Sequence, residues 1–133
     1  MPLFPDGFGC ERCFQASPDE AYLARREFRH IATLADESHL MIQLLACPRC
    51  GQACVSVFTE TVDWVDSDDP QAISVLPITP EEASRIETAG SAYDPDLIEG
   101  IDRERRHLHV DMPKGGGRFA AWVPSGFWIH PHD

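Results

Sequence analysis

Four of the five cysteines in the chain stand in two Cys-x-x-Cys pairs, Cys10-Glu11-Arg12-Cys13 and Cys47-Pro48-Arg49-Cys50. Two intervening residues let both thiols of a pair converge from one tight turn, and four thiolates complete a tetrahedral shell for Zn2+. A complete shell leaves no position for water or substrate, so the chemistry it points to is structural: one zinc ion clamping two distant turns together. Gly9 before the first pair and Gly51 after the second supply residues tolerant of positive φ. The rival reading, a redox dithiol, wants a strand before its Cys-x-x-Cys, and Cys10 lies too near the start for one. The fifth cysteine, Cys54, falls at a strand start that aims it away from the turn, and it is expected in the core as a small hydrophobe.

Other constellations are weaker. His107-x-His109 puts two imidazoles on one strand face, and His130-Pro131-His132-Asp133 closes the chain; with Asp111 these would make a second, open metal site if the last segment paired beside them. Half-exposed strand histidines and a loose tail are the plainer reading. Pro113-Lys114-Gly115-Gly116-Gly117-Arg118 lacks the residue order of a phosphate-binding P-loop and reads as a hairpin turn. Asp66-Ser67-Asp68-Asp69-Pro70 would need Gly and Glu where Gln71 and Pro77 stand to be a calcium loop, so it reads as a solvated turn. No Gly-x-Ser-x-Gly, His-Glu-x-x-His or Gly-x-Gly-x-x-Gly motif occurs, and no catalytic residue is assigned.

Cys47-Pro48-Arg49-Cys50-Gly51 on a β-hairpin, paired with a second Cys-x-x-Cys, resembles the zinc-ribbon group over about residues 8–65. The resemblance implies that Cys10, Cys13, Cys47 and Cys50 are the ligands of one structural Zn2+. The chain departs from that group in placing a capped helix directly after the first pair. A treble-clef arrangement would need a helix after Cys50, where the residues read as strand.

The positioning elements follow from patterning. Ser17-Pro18-Asp19-Glu20 carries a capping residue, Pro at the first helical position and a Glu three residues after the cap. Ala21, Ala24, Phe28, Ile31 or Ala32, and Ala35 then recur at helical spacing, which predicts a helix over about residues 18–36. His39–Ala46 reads as a strand covered on both faces and Val55–Val65 as its hairpin partner. Ile73–Leu76 is a short strand, and Thr79-Pro80-Glu81-Glu82 starts a second helix that Gly90 stops. Tyr93-Asp94-Pro95-Asp96 offers a third cap, for a short helix through Ile101. His107–Met112 and Arg118–Val123 form a second hairpin, and Phe127-Trp128-Ile129 is expected to pack on the sheet. The fold class is α+β: a small antiparallel sheet with a zinc-ribbon-like knuckle pair and two to three short helices. One domain of 133 residues is expected, residues 8–65 forming the ribbon-like part and 66–133 a helix plus the C-terminal hairpin.

Composition restricts the function. The formal charge is −11, from 22 acidic and 11 basic side chains. Residues 101–133 hold Arg103, Arg105, Arg106, Lys114 and Arg118 against four acids, so residues 1–100 carry the excess negative charge, which repels phosphate backbones. The N-terminus has neither a basic start nor an apolar run, and no stretch reaches the roughly 18 apolar residues a membrane span needs. A soluble, cytoplasmic location is expected, with no membrane partner. Three functions compete. A non-catalytic zinc module that contacts another protein through aromatics such as Trp64, Trp122 and Trp128 comes first. A nucleic-acid-binding ribbon using Arg103, Arg105, Arg106, Lys114 and Arg118 with Trp122 comes second, and a small metal-dependent hydrolase using the C-terminal histidines third. Loss of zinc is expected to unfold at least the first 65 residues.

Overall fold

A computed structural model of the chain describes residues 8–14, 17–89 and 104–127. The elements are α1 (Pro18–Arg25), β1 (Arg29–Glu37), β2 (Leu40–Ala46), β3 (Ala53–Glu60), β4 (Gln71–Pro77), α2 (Pro80–Ala89), β5 (His107–Met112) and β6 (Phe119–Val123). The strands form one antiparallel sheet in chain order β1-β2-β3-β4-β5-β6, so each strand pairs with the one that precedes it in the sequence. An α+β class with a small antiparallel sheet and two helices among the described residues agrees with the patterning. The segment expected to form a third helix lies outside the described residues.

Alternation sorts side chains between two faces. Ile42, Leu44, Val55, Val57 and Leu76 share one face with Leu34, and α2 covers it through Ile86 while Phe127 packs in behind. Cys54, Ile73, Val75, Leu108 and Val110 point the other way, where α1 closes over them through Ala21. β2 and β3 are therefore largely buried on both sides, as the apolar residues on both alternating faces before Cys47 imply for β2. Phe127 does pack down, at 1% exposure. Trp128 and Ile129 lie outside the described residues.

Both capping signals operate. The Ser17 hydroxyl accepts the Glu20 N–H at 3.3 Å. At α2 the exchange is reciprocal, Thr79 Oγ1 accepting the Glu82 N–H at 3.1 Å and Glu82 Oε1 accepting the Thr79 N–H at 2.9 Å.

The first helix is shorter than its spacing suggests. It ends at Arg25, where Arg26, Glu27 and Phe28 donate to the carbonyls three residues back and tighten the last turn. Residues 29–37 are strand, and the register explains the false period. Between Thr33 and Ala35 the pairing with β2 slips by one residue, so Ala32 faces Leu44 and Ala35 faces Ile42. The bulge thus places core-facing residues three apart, the spacing of a helix. β3 also begins earlier than expected and ends at Glu60, leaving Thr61–Val65 to the loop before β4.

Candidate metal centre

β2 delivers Cys47 at its end and β3 leaves from Ala53, so the second pair occupies the turn between two central strands. Cys47 N–H donates to the Gln52 carbonyl at 3.0 Å and Gly51 N–H to the Cys47 carbonyl at 2.9 Å, with Gly51 at φ +79°. The first pair is a separate turn, in which Phe14 N–H donates to the Cys10 carbonyl at 3.0 Å and Cys10 N–H points to Cys13 Sγ at 3.3 Å. Gly9 opens it at φ +72°, and a Cβ there would sit 2.6 Å from Phe14 Cβ and 3.0 Å from Cys13 Sγ. Only glycine fits.

The two turns bring Cys10, Cys13, Cys47 and Cys50 together with all four sulfurs within 4.8 Å of one another. Cys10–Cys13 and Cys13–Cys50 are 3.7 Å apart and Cys10–Cys47 3.9 Å. Four sulfurs at ~2.3 Å from a central zinc define a tetrahedron with edges of about 3.8 Å. These three separations meet that geometry and are far too long for a disulfide, and the remaining three lie within 4.8 Å. The group can hold a metal ion, and it is the one such group among the described residues.

Burial and mutual proximity set the thiol acidities. Burial pushes Cys13 up, aided by the neighbouring Cys47 and Cys50, and burial likewise raises Cys50. For Cys10 burial also acts upward, but the backbone N–H groups of Cys13 and Arg12 and the adjacent thiols outweigh it and hold the group down at about 7. Burial thus keeps protons on Cys13 and Cys50 while Cys10 ionises more readily, and a bound dication would reverse that logic by stabilising every thiolate.

Residues with no sequence signature fasten the turns to the sheet. Gln52 Oε1 accepts the Gly9 N–H at 2.9 Å while its Nε2 donates to the carbonyls of Ala53 and Ile78, each at 2.8 Å. Phe14 meets Trp122 edge-on at 4.7 Å, and the Arg106 guanidinium lies over both rings, 4.0 Å from Phe14 and 4.6 Å from Trp122. Arg105 makes a bidentate ion pair with Glu82 at 2.6 and 2.9 Å, donates to the Pro77 carbonyl at 3.0 Å, and lies 5.0 Å from the Phe8 ring. Arg12 pairs with Glu27. An open groove of about 720 Å3 runs beside the sulfurs, its walls including Phe8, Cys10, Cys50 and Ile78.

Cys54 is outside the cluster. It is 5% exposed among Ala21, Ile73 and Val75, and burial pushes its thiol up, so it serves as core. The histidines do not gather into a second group among the described residues. His107 is buried, its Nδ1–H donating to the Arg105 carbonyl at 3.2 Å and its ring edge-on to Phe127 at 5.4 Å. His109 bonds Ser74 Oγ at 3.1 Å. His130 and His132 lie outside the described residues.

The basic residues near the C-terminus are committed internally. Besides Arg105 and Arg106, Lys114 pairs with Asp63 at 2.9 Å and Asp66 at 2.6 Å, and Arg118 lies 4.7 Å from the Tyr22 ring. Arg103 is outside the described residues. In the 113–118 turn the Gly115 N–H donates to Asp68 Oδ2 at 2.7 Å, so it is directed at a carboxylate of the chain itself. No described helix is long and apolar enough to cross a membrane. Comparison with known protein families, curated proteins and solved structures finds no match.

Proposed function

We propose that the protein is a non-catalytic module built on one structural Zn2+ held by Cys10, Cys13, Cys47 and Cys50, and that it acts by contact with another protein. The observation that carries the zinc assignment is the sulfur geometry, with separations of 3.7–3.9 Å between ligands 37 residues apart as well as within the first pair. An all-thiolate tetrahedral set selects Zn2+ over hard, oxygen-seeking cations. The ribbon-like knuckle pair is retained as the reading of the two turns, with α1 in the place of a second hairpin. Five unpaired thiols suit a reducing compartment, which supports a cytoplasmic location. Protein contact is favoured over nucleic acid by the −11 charge and by the internal commitment of Arg105, Arg106, Lys114 and Arg118.

Elemental analysis of purified protein tests the centre. One zinc per chain is expected, together with the intense sulfur-to-metal charge-transfer absorption of a tetrahedral site after Co2+ exchange. Folded protein that carries no zinc as purified and takes up neither Zn2+ nor Co2+ when they are added would refute the assignment. Native mass spectrometry tests the contact role: an unpartnered monomer throughout its own lysate would count against it, and retardation of nucleic-acid probes at low salt would revive the alternative.

A further inference from the structure

The loop between β3 and β4 exposes two adjacent apolar side chains, Trp64 at 88% and Val65 at 87%. An isolated exposed hydrophobe is unremarkable, but this pair stands on a loop that is tied down from several directions. Asp63 Oδ1 accepts the N–H groups of Val65 and Asp66 at 3.1 and 3.2 Å, and Asp63 N–H donates to Asp69 Oδ1 at 2.8 Å. Ser67 N–H donates to the Asp63 carbonyl at 3.1 Å and Thr61 N–H to the Pro70 carbonyl at 3.0 Å. The β5–β6 turn braces the loop from the side through Lys114 and Gly115. The indole is thus held in water on an ordered support. An aromatic side chain on a backbone already ordered in this way loses less freedom on binding than one on a loose loop.

We propose that Trp64 and Val65 form a protein-docking tip whose partner presents a peptide segment of apolar residues rimmed by Lys or Arg. Charge complementarity selects this occupant. Asp63, Asp66, Asp68 and Asp69 share the loop with the pair, and among the described residues Lys114 is the one cation seen paired with them, at Asp63 and Asp66, leaving the loop net acidic. Their field attracts a basic rim and repels phosphate, anionic lipid and a second copy of a chain carrying −11. The tip sits at the end of the sheet where β3 finishes and β4 starts, opposite the β2–β3 turn that holds the sulfurs. The proposal rests on the contact role assigned above and names the surface that performs it.

The test is selection of a phage-displayed library of random linear peptides against the zinc-loaded protein. Selected peptides should combine apolar residues with Lys or Arg, lose about 30-fold or more in affinity for Trp64→Ala, and weaken as salt rises. Trp64→Ala removes a side chain with almost no buried contact, so its fold and zinc content should be unchanged. Peptides that bind Trp64→Ala equally, or that are acidic, would overturn the tip while leaving the contact role standing. Absence of any enriched peptide, a Trp64-dependent dimer, or Trp64-dependent binding to phosphatidylcholine vesicles would likewise overturn it. Failure of the zinc assignment would show separately, as missing metal in a protein whose tip still binds.

Discussion

Gln52 Oε1 receives the Gly9 N–H at 2.9 Å across 43 positions of sequence. This bond links the two cysteine turns independently of sulfur, and the Nε2 of the same amide holds the start of β3 to Ile78. Gln52→Ala should therefore weaken metal affinity by about 10- to 100-fold, the usual effect of removing a residue that orients ligands. It should also lower stability by ~1–3 kcal/mol through unsatisfied polar groups. Competition with a chromophoric chelator and urea denaturation measure the two effects.

Metal removal should act locally first, rather than unfolding residues 1–65 as the sequence alone suggests, because β2 and β3 within that stretch belong to the common core. β2 and β3 are buried against Leu76, Ile86 and Phe127 without any help from sulfur, whereas residues 8–14 are tied down largely by the centre and its neighbours. Chelation is expected to release the first turn, disturb the Phe14–Trp122–Arg106 stack and lower the Tm. Near-UV circular dichroism should change while the far-UV strand signal persists. Simultaneous loss of both would show that the sheet itself depends on the ion.

Breaking the Arg105–Glu82 pair should be costly. The two side chains are 11% and 10% exposed, so removing one leaves the other charge buried. Arg105→Ala should destabilise by ~3 kcal/mol or more. Glu82→Gln, which can still accept the Thr79 N–H, should cost less than Glu82→Ala, which removes the capping box as well. Denaturant midpoints of the three variants rank these effects.

His107 should make stability fall in mild acid. Burial pushes its imidazole below the ordinary value, against the smaller upward pull of the Arg105 carbonyl. The fold favours the neutral ring, so its contribution is complete above the unfolded value of about 6.5 and declines as pH falls from there towards the depressed folded value. Denaturation at constant zinc occupancy should show a slope below about pH 6.5, approaching ~1.4 kcal/mol per pH unit at most, that His107→Gln flattens.

Stronger acid should loosen the Trp64 loop. Lys114, with the N–H groups of Asp66 and Val65, holds the Asp63 carboxyl down at about 2 from an ordinary 3.8. A depressed carboxylate stabilises its structure above the unfolded value and loses that effect as pH falls through the folded one. Hydrogen exchange of the Val65 and Asp66 amides should therefore gain protection between about pH 2 and 4 beyond the intrinsic rate, and Lys114→Met should narrow that gain.

The cysteine pairs, both helix caps and the two hairpins were legible because each is a local signal with a physical cause. Thr79 and Glu82 satisfy each other's N–H groups, and that exchange can be read from spacing alone. The strand at 29–37 was not legible, because a bulge spaces Ala32 and Ala35 as a helix would. Gln52, Arg105 and Arg106 carry no spacing signal at all: their partners lie 43, 23 and 92 positions away. The exposure of Trp64 was expected, whereas Trp122 turned out to be half-buried beneath Arg106 and Phe14.

The unbroken strand order has a kinetic consequence. β1 to β4 can zip each onto its predecessor as the chain emerges during synthesis, and β6 onto β5, through short loop closures; only the β4–β5 pairing waits for a longer connection that includes α2. The sulfur cluster likewise brings distant turns together, across the whole first helix and two strands. A metal ion bound there would therefore close a loop that strand pairing alone leaves open.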